Sequence, residues 1–263
     1  FNNLLTGILG YSRHLLDRLV EGDPLRAASW DVESRGPVAL APQVPYLGTL
    51  IDAGRHYFPL DWLRRAVDRL ADMRYNLIHL RLTDDQTFNV LLASRPELAY
   101  PTARANPDRR VYRPAELREL VAYARARGIR IMPEINVPGH AGAWAGIPDL
   151  IVHCPSFICE RGYGIPLNVT HRELRPILAD VLREIIDIFD DPPFLHLGGD
   201  EVNMADPCFK EVGHKVFDYP AFELVLKDII QDIGYPEDRV VRWEMTGQKD
   251  LVRAGGIEHF WES

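Results

Sequence analysis

The 263-residue sequence is poor in cysteine, has no excess of basic charge and holds no long apolar run. Three cysteines, Cys154, Cys159 and Cys208, are too few for a disulfide scaffold and lack zinc-finger spacing. One bridge with a leftover thiol and three unpaired thiols both remain open. With 30 basic against 38 acidic residues the net charge is -8, which repels polyphosphate and gives no hold on an anionic membrane. Nucleic acid is therefore not an expected partner. Every hydrophobic stretch is interrupted by a charged residue well short of the roughly 20 apolar residues a membrane-spanning helix needs, so no membrane span is expected. The chain starts at Phe1 with no legible secretory signal; one that existed would have been removed. Internal repeats, low-complexity tracts and Gly/Ser linkers are also missing. What is present, 46% hydrophobic and 26% charged residues, is the balance of a globular protein with a sizeable core.

From about residue 46, short β-rich apolar runs alternate with longer stretches at helical period, which predicts βα units around a parallel sheet. Strands are expected at 46–53, 76–82, 129–135, 194–197, 240–243 and 257–261. Between them, Leu63, Val67, Leu70 and Met73 stripe one helix, and Leu117, Leu120, Val121 and Ala124 a second that Pro114 opens and Gly128 closes. A third is striped by Leu174, Ile177, Leu178, Val181, Leu182 and Ile185. Thr170 and Glu173 read as its capping box, and the Asp190-Asp191-Pro192-Pro193 run as its stop. Phe222, Val225, Leu226 and Ile229 stripe a fourth, and a short helix is expected near Leu251. The Pro-interrupted stretch 83–113 reads as a long loop over a strand's C-terminal end. The fold class is thus α/β, a (β/α)8 TIM barrel of which this chain supplies about six units where eight are needed. Residues 46–263 are assigned to this partial barrel. Residues 1–45, an amphipathic helix over 4–19 and a polar connection, read as the end of an α+β domain. Such an open barrel exposes two sheet edges, so the chain alone is expected to be unstable or inactive.

Ionisable and aromatic residues gather at the C-terminal ends of the predicted strands: Arg55, Asp84, Asp85, Glu134, His140, Asp200, Glu201, Trp243 and Trp261. In a parallel barrel that rim carries the active site. A single charged residue leaving a strand is usually only solvated or capping a helix; recurrence after every strand argues for more. The sharpest feature is His196-Leu197-Gly198-Gly199-Asp200-Glu201. Neighbours on a regular strand face opposite sides, but two glycines in conformations closed to other residues can turn both carboxylates into one pocket. A Glu next to a second carboxylate in a partly dehydrated cleft is suited to hold a proton as a general acid while the Asp stays ionised. The simpler alternative is an acidic pair in the first turn of a helix.

The segments Asp52 to Pro59, Leu82 to Gln86, Pro133 to His140 and His196 to Glu201 together resemble, in order, the signature set of glycoside hydrolase family 20, the β-N-acetylhexosaminidases. The resemblance covers about residues 46–263. It implies retaining hydrolysis of terminal non-reducing β-linked N-acetylglucosamine or N-acetylgalactosamine on glycans, assisted by the substrate's own acetamido group, with no metal and no cofactor. By motif, Glu201 would protonate the leaving oxygen and then activate water, and Asp200 would orient the acetamido nitrogen. Asp84 and His140 would support the acid, Arg55 would grip ring hydroxyls, and Trp243 and Trp261 would wall the N-acetyl pocket, with Glu244 and Glu262 beside them. Plainer roles are a surface ion pair for Arg55 with Asp52 or Asp84, a satisfied buried imidazole for His140, core packing for the tryptophans, and a loop or capping role for Asp85. The cysteine content leaves the compartment undecided, and the resemblance alone is compatible with a secreted, lysosomal or periplasmic location. Oligomeric state is not legible.

Two departures stand out. The family usually has His-aromatic-His before the Asp-Asp pair, where this chain has His79-Leu80-Arg81. It usually has Asp where this chain has Asn136. Both shift charge beneath the site, and Arg81 is expected to pair with Glu134 or Asp84. These changes keep open a second reading, a catalytically silent carbohydrate-binding homologue. A metal-dependent barrel hydrolase built on His79, His140, His196, Asp84 and Asp200 is a third, disfavoured by the missing His-x-His and His-Glu-x-x-His spacings.

Overall fold

The computed structural model describes residues 45–99, 110–152, 165–202, 218–244 and 254–260. Six parallel strands form one curled sheet in chain order: β1 (Gly48–Asp52), β2 (Leu77–Arg81), β3 (Arg130–Glu134), β4 (Leu195–His196), β5 (Val240–Trp243) and β6 (Ile257–His259). Among the described residues four α-helices join them: α1 (Leu60–Asp72), α2 (Pro114–Arg125), α3 (Leu174–Ile188) and α4 (Tyr219–Ile233). This is the sequential parallel order of a TIM barrel, with β1 and β6 as its two edges among the described residues. Residues 1–44, the expected helix near Leu251, the three cysteines, Trp261 and Glu262 lie outside the described residues.

Period-2 alternation divides the side chains between two faces. Ile51, Ile78, Leu80, Ile131, Leu195 and Val240 pack outward against helix residues such as Leu63, Leu120, Leu178 and Leu226 in the main core. The opposite face starts with a small apolar layer of Leu77, Met132 and Val241. Nearer the strands' C-terminal ends that face turns polar, with His79, Arg81, Glu134 and His196 all buried. The fold thus concentrates its apolar packing on the helix side and leaves the barrel interior for chemistry.

Pro114 opens α2 as expected, with Glu116 accepting a hydrogen bond from the Arg113 backbone N–H at 2.7 Å. Two local expectations are corrected. The Thr170/Glu173 pair does not cap α3: Asn168 Oδ1 accepts from both the backbone N–H and the hydroxyl of Thr170, at 3.0 and 2.8 Å, and the helix begins at Leu174. Asn168 thereby diverts Thr170 into a turn that competes with helix initiation. Met73, expected in the apolar stripe of α1, lies past its last turn and is exposed. The described parts of the 83–113 stretch, 83–99 and 110–113, are more tightly packed than a surface loop, because Phe88, Val90, Leu92, Leu98 and Tyr112 are all buried.

Candidate active site

Strand register accounts for the first layer of the site. Asp52 on β1 pairs in register with Arg81 on β2, which pairs with Glu134 on β3, so one cationic side chain stands between two carboxylates on the same face. The guanidinium of Arg81, almost wholly buried, reaches Asp84 Oδ2 at 2.6 Å, Asp200 Oδ2 at 3.8 Å and Glu134 Oε1 at 3.9 Å. Arg81 is expected to pair with Glu134 or Asp84; it reaches both, with Asp84 much the closer, and Asp200 is a third partner. These carboxylates hold Arg81 charged against the cost of burial.

The Gly198-Gly199 kink forms as expected. Both glycines have positive φ, 59° and 91°, and Glu201 follows at +55°. A Cβ on Gly198 would collide with the Asn136 side chain and backbone, so the chain passes there only because the residue has none. The result is convergence: His140 Nε2 lies 3.0 Å from Glu201 Oε2 and 3.5 Å from Asp200 Oδ2. The two acids differ in exposure, opposite to a dehydrated setting for the Glu. Asp200 is buried, while the Glu201 side chain is 41% exposed and opens to solvent.

His140, itself at φ +50°, is the hub. Its Nδ1 faces Asp84 Oδ1 at 3.2 Å and Asp85 Oδ2 at 3.4 Å. Burial opposes its charge, but hydrogen bonds to Asp84 and Asp85 and the nearby Asp200 charge prevail and push its pKa up to about 10. Asp84 gathers cations. Its Oδ2 takes Arg55 Nε at 3.0 Å as well as Arg81. Burial alone would raise its pKa, yet the His140 hydrogen bond and the two arginines lower it. Arg55 also pairs with Asp52 Oδ2 at 3.3 Å and remains half exposed at the rim. Asp85 acts largely as a loop clamp, its Oδ1 accepting from the Gly142 and Ile165 backbone N–H groups at 2.9 and 3.1 Å.

Asn136 is locked at both ends of its amide. Its Nδ2 donates to Asp200 Oδ1 at 2.6 Å, and its Oδ1 accepts from the Gly199 backbone N–H at 3.0 Å. Trp243 is buried in the same interior. Its indole N–H donates to Glu134 Oε1 at 3.0 Å, and its ring stacks on His259 at 4.3 Å and 23°. Arg55, Asp84, His140, Asp200, Glu201 and Trp243 are thus brought into one connected cluster, whereas Trp261 lies outside the described residues.

Sequence reasoning missed two features. His259 joins His79, His196 and Trp243 in an aromatic column of two stacked pairs, His79 on His196 at 4.5 Å and 21° and Trp243 on His259, which meet with the His196 and Trp243 rings tilted by 54°. Arg242 and Glu223 form a fully buried ion pair at 2.5 Å behind the sheet. The even spacing of Arg242 against Val241 and Trp243 marks it as facing the helices; nothing local marks Glu223.

Three sets of residues bring ligand-type atoms within 4.8 Å of one another: His79, His196 and His259; Asp84, Asp85 and His140; and His140, Asp200 and Glu201. Their proton inventory suits a metal poorly. The Gly198 backbone N–H donates to His196 Nδ1 at 3.0 Å, which places the ring proton on Nε2, the nitrogen facing His259 Nδ1 at 3.4 Å. His140, common to the other two sets, has its pKa pushed up by the carboxylates around it, so a metal there would have to displace a proton.

Residues 44–219 match the family model described as the glycosyl hydrolase family 20 catalytic domain. The β-hexosaminidase subunit alpha of Rattus norvegicus is 34% identical over 233 residues, covering 84% of this chain and 43% of that protein. Among solved structures, a glycoside hydrolase family 20 β-N-acetylglucosaminidase superposes with a TM-score of 0.66 at 26% identity, covering 84% of this chain and 48% of its own. A mutant Streptomyces plicatus β-hexosaminidase in complex with product (GlcNAc) gives 0.66 at 27% identity, covering 84% of this chain and 43% of that one. The chain therefore spans less than half the length of these relatives.

Proposed function

Because the chain belongs to glycosyl hydrolase family 20, we propose that it carries most of the catalytic centre of a β-N-acetylhexosaminidase that removes terminal non-reducing GlcNAc or GalNAc from glycans with retention. The observation that carries this reading is the convergence of Asp200 and Glu201 on the same nitrogen of His140. Two carboxylates gathered on one imidazole do not straddle a sugar ring as separate acid and nucleophile. The nucleophile is then the substrate's acetamido oxygen, which attacks the anomeric carbon as the glycosidic bond breaks. Glu201, open to solvent, donates its proton to the departing oxygen. Asp200, buried beneath it, accepts the acetamido N–H and balances the positive charge of the oxazolinium ring. In the second step Glu201 takes a proton from water as that water attacks the anomeric carbon, which reopens the ring and restores the acetamido group.

His140 links the acid to its supply. Its Nε2–H points at Glu201 Oε2, and the neighbouring Asp84 and Asp85 steady the opposite edge of the ring. A sugar covering the cleft expels water and favours the neutral pair over the ion pair, which moves the proton onto Glu201. Arg55, half exposed and anchored through Nε and Nη1, keeps guanidinium donors available at the rim for ring hydroxyls. Trp243 lends an apolar ring deeper in the pocket, and the product complex of the Streptomyces plicatus relative supports N-acetylglucosamine as the sugar class.

The test is turnover of a chromogenic β-N-acetylglucosaminide by this chain and by a longer form reaching the length of its relatives, in buffer and in chelator. Glu201→Gln should lower kcat by about 10²–10⁴-fold in whichever form is active, with chelator without effect. Full activity of that variant, or loss of wild-type activity in chelator, refutes the reading. Tight binding of an N-acetylglucosamine thiazoline without hydrolysis would instead favour the silent sugar-binding homologue.

A further inference from the structure

Asp200 is held from below by two side chains that the reaction itself does not use. Arg81 reaches up from β2, with Nη1 3.8 Å from Asp200 Oδ2. Asn136, just past β3, donates to Asp200 Oδ1 at 2.6 Å. Neither is loosely placed. Arg81 is simultaneously tied to Asp84 and Glu134, and Asn136 is fixed by its bond from Gly199 and by its own backbone N–H donating to Thr83 Oγ1 at 2.9 Å. The Asn136 amide holds the Gly198-Gly199 kink and the Asp200 carboxylate at once, so kink and carboxylate cannot move independently. Among the described residues the other charged group facing Asp200 is His140, through Nε2 at 3.5 Å, with Glu201 on the same nitrogen.

We propose that Arg81 and Asn136 are paired positioning residues that fix the orientation of the Asp200 carboxylate with groups that do not titrate in the working range. A guanidinium stays charged and an amide stays neutral at any pH where the enzyme operates, so the support under Asp200 does not change with pH. Arg81 serves three carboxylates from three strand ends, which ties the orientation of Asp200 to the positions of β2 and β3. This inference rests on the reading of Asp200 as the group that holds the acetamido nitrogen.

Asn136→Asp separates positioning from folding. While protonated, the introduced carboxyl group reproduces the amide's donor, but once ionised it faces Asp200 across a hydrogen-bond distance, and the two carboxylates then titrate as a pair. Protonated is the working form, so the variant should approach wild-type kcat at acid pH and fall away as pH rises. The ratio of wild-type to variant kcat should grow at least roughly tenfold between about pH 5 and about pH 8, with KM changing less than about threefold. Arg81→Lys, which keeps the charge but cannot span three carboxylates, should lower kcat roughly tenfold at every pH with little change in KM. The same pH series is run on the affinity of an N-acetylglucosamine thiazoline, measured by calorimetry, so that an inactive but binding protein still reports. A kcat or affinity ratio that stays flat with pH, with Arg81→Lys altering only the unfolding midpoint, overturns the inference and leaves the functional reading standing. A wild-type protein that neither hydrolyses nor binds overturns both.

Discussion

The tightest constraint on the site is the Gly198 backbone, and Gly198→Ala tests it. At φ +59° an alanine incurs the left-handed penalty, about 1 kcal/mol. Its Cβ would also meet the Asn136 amide carbon and oxygen and lie 2.8 Å from the Asn136 Cα. A backbone atom cannot rotate away as a side-chain tip can, so the strand ends must separate, an overpacking cost of about 1–3 kcal/mol. The total of about 2–4 kcal/mol corresponds, for a domain of this size, to a fall in Tm of roughly 4–16 °C. Gly128→Ala supplies the control: φ is +74°, but nothing lies within 4 Å of the added Cβ, so only the backbone term of about 1 kcal/mol applies. Thermal unfolding of the two variants therefore isolates the steric part, and turnover should fall in Gly198→Ala alone because the displaced Asn136 releases Asp200. Equal Tm losses in the two variants, or a Gly198→Ala protein with unchanged kcat, would refute the account of the kink.

Other outcomes follow from the buried charges. His259 is held neutral by burial, reinforced by His79, with its pKa lowered to about 4, and burial holds His196 well below its ordinary value. A folded pKa below the unfolded one gives stability that is complete above about 6.5 and lost as pH falls toward and through the folded value. His259→Phe keeps a ring on Trp243 and removes one titration, so its unfolding midpoint should decline less steeply than wild type between about pH 6.5 and about pH 4 in denaturant titrations. Glu223→Gln should destabilise the chain by about 3–5 kcal/mol in urea unfolding, because it strands the buried Arg242 guanidinium and weakens the acceptor for the Ala254 backbone N–H at 2.9 Å. A loss below about 1 kcal/mol would show that Arg242 is held by its bonds to the Leu197 and Val137 carbonyls instead.

Much of the fold was legible because the parallel sheet repeats a simple signal. Each expected strand has an observed counterpart, β5 with the expected bounds and the others shortened at one or both ends, and the apolar stripes of α1 to α4 lie on the buried side except at Met73 and at Val225, which is only partly buried. The gathering of Arg55, Asp84, His140, Asp200 and Glu201 was legible for the same reason, since each follows a strand and parallel strands share one C-terminal rim. Three things were not. Which acid is buried depends on how Gly199 turns the chain, and that has no signature beyond the glycine itself. The start of α3 depended on competition between Asn168 and Thr170, both good local hydrogen-bonding residues. The column of His79, His196, Trp243 and His259 requires the register of β2, β4, β5 and β6, a non-local quantity that no single segment carries.

The distribution of charge at the strand ends gives the site a direction. Asp52, Asp84, Asp85, Glu134, Asp200 and Glu201 face Arg55, Arg81 and a protonated His140, so anionic groups outnumber cationic ones at the strand ends, with Asp84, Asp85, Glu134 and Asp200 buried and Glu201 and Arg55 at the open rim. In the proposed reaction a neutral acetamido sugar would gain little from such a field in its ground state, whereas the positive charge growing on the anomeric carbon and the oxazolinium ring would gain a great deal. Arg81 runs against that direction, and its placement limits the damage. Its shortest contact is with Asp84, and it stands farther from Asp200, whose closest partner is the uncharged Asn136 amide. A cation thereby relieves repulsion among buried carboxylates, while Asp200, the carboxylate proposed to meet the forming positive charge, is steadied chiefly by a neutral donor. That division of labour explains how this chain can accept an arginine beneath Asp200 and Glu201 while both still converge on His140 Nε2.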